Sequence, residues 1–174
     1  MKIALIAKAG SGKNTVCDMF KIHNTKFVEY KFAAKLYEAQ YAIQNVLGLP
    51  NVKEGPLLQY LGTEYGRKYH GEDFWINQLK KSLNPNDFPI ITDCRFKDEL
   101  KWCKENGFTT IKLYRDIDKR IEFVGNRDQN HKSEIDLDDI PDTEYDYVID
   151  NNGHIDDLAI KVQILYDDLR SKQN

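Results

Sequence analysis

The chain has 174 residues, 41% of them hydrophobic and 30% charged, with a formal net charge of -3 and a pI near 5.8. That length is most simply one domain with a single sizeable core, and the mildly acidic balance excludes a large nonspecific nucleic-acid surface while leaving room for a local basic pocket around a small anion. Cys17, Cys94 and Cys103 lack paired metal spacing, and neither a signal-peptide pattern nor a membrane-length apolar run is present, so the reading is a protein of a reducing, cytoplasmic compartment with a small-molecule partner, no nucleic-acid polymer and no membrane.

In chain order, the apolar residues 2–7 predict a strand and 13–23 a helix with Val16, Met19 and Phe20 on one face. Residues 27–32 alternate as a second short strand, and 33–47 have helical composition with Leu36, Ala39, Tyr41, Ile43 and Val46 about an apolar side. Gly48-Leu49-Pro50 stops that helix. Pro56 to Arg67 reads as helical with Gly62 and Gly66 as weak points, and Asp73 as the cap of a helix running to Ser82. Residues 88–93 predict a buried strand ending in a carboxylate, 96–106 a helix, 109–114 a strand, and 116–133 a charged segment that begins as helix. An acidic stretch, 134–146, reads as a solvated connection; residues 145–149 form the last strand and Ile155 to Leu169 the last helix. Strands alternating with helices predict an α/β fold whose five-stranded sheet is mostly parallel, with helices on both faces and ligands at the carboxyl ends of the strands.

The first of those strand ends carries Ala7-Lys8-Ala9-Gly10-Ser11-Gly12-Lys13-Asn14-Thr15. Gly10 and Gly12 allow a tight turn whose N–H groups converge where the next helix adds its positive end, and Lys13 adds a point charge for β- and γ-phosphates. Ala7 stands where the common phosphate loop has glycine and Asn14 where it has a hydroxyl; the alternative is a Gly-rich turn without a ligand. Asp93, two residues before Arg95, sits where nucleoside triphosphatases keep a carboxylate that organises magnesium, or else caps the following helix. Arg115, Arg120 and Arg127, with Lys119 and Lys132, offer the cations a phosphoryl transfer needs, but interleaved acids fit a solvated helix equally. Gly62-Thr63-Glu64-Tyr65-Gly66-Arg67 followed by Asp73-Phe74-Trp75 joins an arginine, suited to a phosphate, with aromatic rings suited to a base, although core packing explains such rings as well. His23, His70, His131 and His154 are too scattered for a metal site.

Assembled in order, Gly12-Lys13-x-Thr15, Phe32-Ala33, Leu58-Gln59-x-Leu61-Gly62-Thr63-Glu64 with Arg67, Phe74-Trp75, Asp93-x-Arg95-Phe96 with Glu99, His131-x-Ser133-Glu134, and Asn151-x-Gly153 with Leu158 make the chain resemble the phage-type deoxynucleoside monophosphate kinases, a branch of the P-loop nucleotide kinases. The resemblance implies a three-layer P-loop fold in a single domain with an acceptor-binding segment at about 33–82 and a lid at about 115–134, acting in a host cytoplasm if the origin is a phage. It implies transfer of the γ-phosphoryl group of ATP to a deoxynucleoside monophosphate with Mg2+, and leaves a homodimer open. Ala9, Gly10, Ser11, Gly12, Lys13, Asn14 and Thr15 would hold ATP, with Asn151 and Gly153 beside its adenine. Thr15 and Asp93 would order the metal directly or through water. Phe32, Ala33, Lys35, Gln59, Gly62, Thr63, Arg67, Trp75 and Arg95 would bind the acceptor. Lys13, Asp93, Arg95, Arg120 and Arg127 would be the catalytic set. Two rival readings stay open. One is a P-loop kinase of another acceptor, of the dephospho-coenzyme A or phosphomevalonate type. The other is a nucleotide-dependent binding module without kinase activity.

Overall fold

The computed structural model describes residues 1–124 and 135–172. Five strands, β1 (Ile3–Ile6), β2 (Phe27–Tyr30), β3 (Phe88–Cys94), β4 (Thr109–Tyr114) and β5 (Tyr147–Asp150), form one sheet in the order β2-β3-β1-β4-β5. The pairs β1–β3, β1–β4 and β4–β5 are parallel. β1 is apolar along its length and wholly buried, as a strand covered on both faces must be. Because its neighbours are β3 and β4, the chain winds in opposite directions on its two sides. A crevice therefore opens at its carboxyl end, where the loop 7–12 leaves the sheet.

Alternation along β1 sends Ile3 and Leu5 to one face. There they join Ile111 and Leu113 of β4, Val16, Cys17 and Phe20 of helix α1 (Lys13–His23), and Leu158, Val162, Leu165, Tyr166 and Leu169 of the C-terminal helix Ile155–Ser171 in one apolar core. Phe20 meets Phe27 edge to face with ring centroids 5.4 Å apart, closing the core beneath β2.

The chain divides by its contacts into two compact units, Met1–Glu29 with Pro85–Asn174, and Tyr30–Asn84. The smaller holds α2 (Ala34–Val46), α3 (Gly55–Gln59), a π-helical turn set (Tyr60–Tyr69) and α4 (Phe74–Ser82). The periodicity expected for α2 is not what is buried: Val46 is exposed, while Gln40 and Gln44 are fully buried. Their amides explain it. Both donate to the carbonyl of Val52, Gln44 also reaches Glu54 Oε1 at 3.0 Å, and Gln40 Oε1 accepts from the Glu54 amide, so polar side chains replace apolar ones in order to satisfy a loop backbone. The helix expected from Pro56 to Arg67 widens into π geometry at Tyr60, next to both predicted weak points: the Trp75 indole donates to the Gly62 carbonyl at 2.8 Å, and a Cβ on Gly66 would fall 2.6 Å from the same ring. Asp73 stands at the N-cap of α4 without a side-chain capping bond.

The remaining helices of the larger unit are α5 (Lys97–Glu105) and α6 (Ile117–Val124), and the C-terminal helix is α7. Glu99, 3% exposed, accepts from the amides of Arg95 and Phe96 at 2.9 and 3.2 Å; Asp93 does not cap this helix. The described part of the acidic stretch is mostly exposed, as expected of a solvated connection, and is tied down by ion pairs. Asp136 accepts from the Lys97 amide, Asp138 pairs with Lys8, Asp139 with Lys97, Asp142 with Lys112 and Glu144 with Lys104. Lys97 holds the Asp139 carboxyl below its usual range by hydrogen bonding to it. At its end Asp146 takes both the amide and the hydroxyl of Thr110, at 2.7 and 2.8 Å, which replaces strand pairing there; β5 starts at Tyr147, two residues later than expected.

Cys17, Cys94 and Cys103 are all buried. Burial pushes the Cys17 thiol up to about 11, and a hydrogen bond with Cys103, then burial, raises that of Cys94. Ellman's reagent at pH 8 should therefore titrate no thiol in the native protein and three per chain in denaturant. Because the folded pKa of Cys17 is the higher one, the stability this thiol contributes is intact below the unfolded-chain value of about 8.5 and declines as pH rises toward 11, which urea titrations across that range can follow.

Candidate active site

β1 delivers its chain end into the crevice as Ala7-Lys8-Ala9-Gly10-Ser11-Gly12 and α1 begins at Lys13. Gly10 has φ 79° and Gly12 φ 95°, and at both positions a Cβ has no room as well as the wrong conformation. On Gly10 it would stand 2.9 Å from the Arg120 carbonyl oxygen, and on Gly12 2.5 Å from Asn151 Nδ2. Ala9 and Ser11 are buried within the loop; Asn14 is exposed and Thr15 half-buried in the first turn of α1, whose opening amides have no intrahelical partner.

Every carbonyl of this loop accepts a hydrogen bond. Lys13 Nζ donates to Ala7 O and Lys8 O at 2.5 and 3.1 Å. Arg120 donates to Ala9 O at 3.0 Å, Arg115 to Gly10 O at 3.3 Å and Asn151 Nδ2 to Ser11 O at 2.9 Å. Gly12 O takes the first helical bond from Val16, and the Ser11 amide closes a turn onto Lys8 O at 3.3 Å. The donors are themselves anchored: the Asn151 amide bonds Tyr114 O at 2.8 Å, Asn152 Oδ1 accepts from the Asp116 amide at 2.9 Å, and Lys119 reaches Asn152 O.

Beside the loop lies a cavity of about 380 Å³ bounded by Ala7, Ser11, Arg95, Arg115, Arg120 and Tyr145 among others. Arg95 and half-buried Asp93 reach this edge because β3 ends at Cys94, in register with Ile6. The Tyr145 hydroxyl is buried with no hydrogen-bond partner among the described residues, and burial pushes it up to about 12. Sequence reasoning missed Tyr145, which it assigns to the last strand, and it names Arg115 among the candidate cations but leaves it out of the catalytic set, although this residue follows β4 directly, the strand-end signal that singled out Asp93.

The expected site residues thus fall in two sets. Ala9 to Thr15, Asp93, Arg95, Arg120 and Asn151 share the carboxyl edge of the larger unit's sheet. Gly153 is exposed in the turn after β5, where a Cβ would stand 2.7 Å from Asp157 Oδ2. In the smaller unit Phe32, Arg67 and Trp75 are buried, Gly62, Thr63 and Ala33 half-buried, and Lys35 and Gln59 exposed, with Lys35 paired to Glu38 at 2.6 Å. Arg67 bonds Glu72 O at 3.2 Å and lies 3.5 Å from its carboxylate. Arg127, His131, Ser133 and Glu134 lie outside the described residues. No described cluster of three or more His, Cys, Asp or Glu side chains could hold a metal, and no described helix is long and apolar enough to cross a membrane.

A glycine-rich loop at the end of the central strand, with the sheet order above, is the architecture of a P-loop α/β fold. Solved structures agree: the shikimate kinase of Acinetobacter baumannii matches 99% of this chain and 95% of its own with a TM-score of 0.61 at 16% identity. The shikimate kinase of Aquifex aeolicus matches 98% of each with a TM-score of 0.59 at 17% identity. Among curated proteins the chain is similar to two that carry the name of deoxynucleotide monophosphate kinases. One, from Acanthamoeba polyphaga mimivirus and carrying that name provisionally, is 29% identical over 92% of this chain and 93% of its own length. Another, the deoxynucleoside-5'-monophosphate kinase of Escherichia phage T5, is 28% identical over 51% of this chain and 40% of its own. No family model matches the chain.

Gly12→Ala should lower stability by about 1–2 kcal/mol through its left-handed backbone alone, measured by urea unfolding. The added methyl would also displace Asn151 Nδ2 from the loop.

Proposed function

We propose that the protein transfers the γ-phosphoryl group of ATP to a deoxynucleoside 5'-monophosphate, giving ADP and the diphosphate. The observation that carries the reading is the loop at the end of β1, with two positive-φ glycines, Lys13 at the helix start and Arg95, Arg115 and Arg120 around the adjoining cavity. The names of its curated relatives support the acceptor class.

An acceptor phosphate is already ionised near neutral pH, so the protein needs to position and neutralise charge more than to remove a proton. Lys13 leaves the carbonyls of Ala7 and Lys8 to meet the β- and γ-phosphates, while amides of the loop and of the first turn of α1 bond the same oxygens. Arg95 and Arg67 are the arginines assigned to the acceptor phosphate. The base is received by the smaller unit around Gly62, Thr63 and Trp75, and Asn151 and Gly153 border the adenine of ATP. Residues about 115–134 act as the lid that excludes water, which would otherwise accept the phosphoryl group. Thr15 and Asp93 offer one hydroxyl and one carboxylate oxygen, a donor set that fits Mg2+ carried mainly by water and phosphate oxygens; when bound, the ion neutralises phosphate charge.

A coupled ADP-release assay with Mg-ATP over deoxy- and ribonucleoside monophosphates of every base tests the reading. Acceleration by at least one deoxynucleoside monophosphate is expected, and ADP release indifferent to all of them would leave a nucleotide-dependent binding module as the better account. Lys13→Ala should lower kcat roughly 10^2–10^3-fold with little change in unfolding midpoint. Arg67→Ala should raise the acceptor KM, and a change confined to the ATP KM would move Arg67 to the other substrate.

A further inference from the structure

We infer that Arg115, Arg120 and Asn151 are positioning residues that hold the phosphate loop open by its carbonyls, so that Arg120 serves the loop backbone and does not contact the transferred phosphoryl group. This deepens the kinase reading and rests on it.

A peptide unit is planar and trans, so its C=O and N–H point in nearly opposite directions. Fixing the carbonyls of Ala9, Gly10 and Ser11 therefore fixes the amides of Gly10, Ser11 and Gly12, of which that of Ser11 turns back onto Lys8 O. Arg120, Arg115 and Asn151 take those three carbonyls in sequence, at 3.0, 3.3 and 2.9 Å. Without such donors a flexible loop of this kind can turn carbonyl oxygens toward the crevice, where they would repel a phosphate.

Two further observations point the same way. Arg120 is 6% exposed, with its guanidinium committed to the loop from the first turns of α6, a placement unlike that of a side chain waiting in solvent for a substrate. The two loop glycines are also the points of closest approach to the clamp, Gly10 to the backbone of Arg120 and Gly12 to the amide of Asn151. The clamp is rooted in β4 and β5 through the Asn151–Tyr114 and Asp116–Asn152 bonds, so the loop's geometry is set by the two strands on that side of β1. Lys13 differs from these three donors. It bonds the carbonyls of Ala7 and Lys8 from the first residue of α1 and can leave them for a ligand while the other three stay.

The two roles for Arg120 separate in binding. A group that touches the γ-phosphate distinguishes ATP from ADP, whereas a clamp that orients amides serves both alike. Calorimetric titration with ADP and with a non-hydrolysable ATP analogue, on the unaltered protein and on Arg120→Ala, Arg120→Lys and Asn151→Ala, reads this directly. The expected result is that Arg120→Ala and Asn151→Ala each weaken both nucleotides by the same factor, about tenfold or more. Arg120→Lys, which can still donate to Ala9 O, should recover most of that loss. ADP affinity kept within about twofold in Arg120→Ala, with saturated kcat down by more than about a hundredfold, would overturn the inference and make Arg120 a phosphate-contacting group. Should Arg120→Ala fail to unfold cooperatively, half-buried Asn151 carries the same comparison, and unchanged affinity for both nucleotides in Asn151→Ala also overturns the clamp. An unaltered protein that binds neither nucleotide would overturn the kinase reading itself, a result distinct from normal binding that the substitutions leave untouched.

Discussion

The constraint on which the site depends is the need of a sharply turning, partly buried loop to find partners for its backbone oxygens. From Ala7 to Gly12 no regular ladder is available, and buried carbonyls left alone are costly. This chain meets the need with side chains from three other places, Lys13 in α1, Arg115 and Arg120 after β4, and Asn151 after β5. Hydrogen bonds from charged donors are worth about 1.5–3 kcal/mol each, enough for the loop, α6 and the turn after β5 to hold one another in place. The substitutions Ala7 and Asn14, which set this loop apart from the common pattern, fit that arrangement. Ala7 contributes its carbonyl to Lys13, which requires no glycine, and Asn14 is exposed beside it.

The acidic stretch after residue 134 has a different kind of importance. Its ion pairs with Lys8, Lys97, Lys104 and Lys112 are mostly solvent-exposed, and such pairs contribute little each, about 0–1 kcal/mol. Spread over β4, α5 and the loop after β1, they fix where the chain from residue 135 onward returns to the sheet. Lys8–Asp138 matters most, because it joins the loop to that returning segment at 2.6 Å.

In the smaller unit the same polar bookkeeping shapes the helices. Gln40 and Gln44 occupy the buried face of α2, where they bond the Val52 carbonyl and Gln40 also takes the Glu54 amide, and the π-helical widening at Tyr60 to Tyr69 presents the Gly62 carbonyl to Trp75. Trp75 and Arg67, which composition alone cannot distinguish from core filling, are indeed buried, and each holds backbone of its own unit through Gly62 and Glu72.

Much of this was legible in the residues. The continuous apolar run of β1, the glycines before Lys13, and strands that close at Asp93-Cys94 and just before Asn151 determine a parallel α/β sheet with a phosphate-type loop at its carboxyl edge, because local periodicity and turn chemistry depend on near neighbours. The ordered motifs from Gly12 to Leu158 also indicated the kinase relationship that the mimivirus and phage proteins share. Contacts between distant residues had no such signature. The face of α2 that is buried, the pairing of the acidic stretch, the late start of β5 at Tyr147 and the capture of Ala9, Gly10 and Ser11 by Arg120, Arg115 and Asn151 each join residues far apart in the chain, up to 140 positions for Asn151 and Ser11. Sequence specified which donors the chain carries; the crossing of strands over β1 decided which carbonyls they reach.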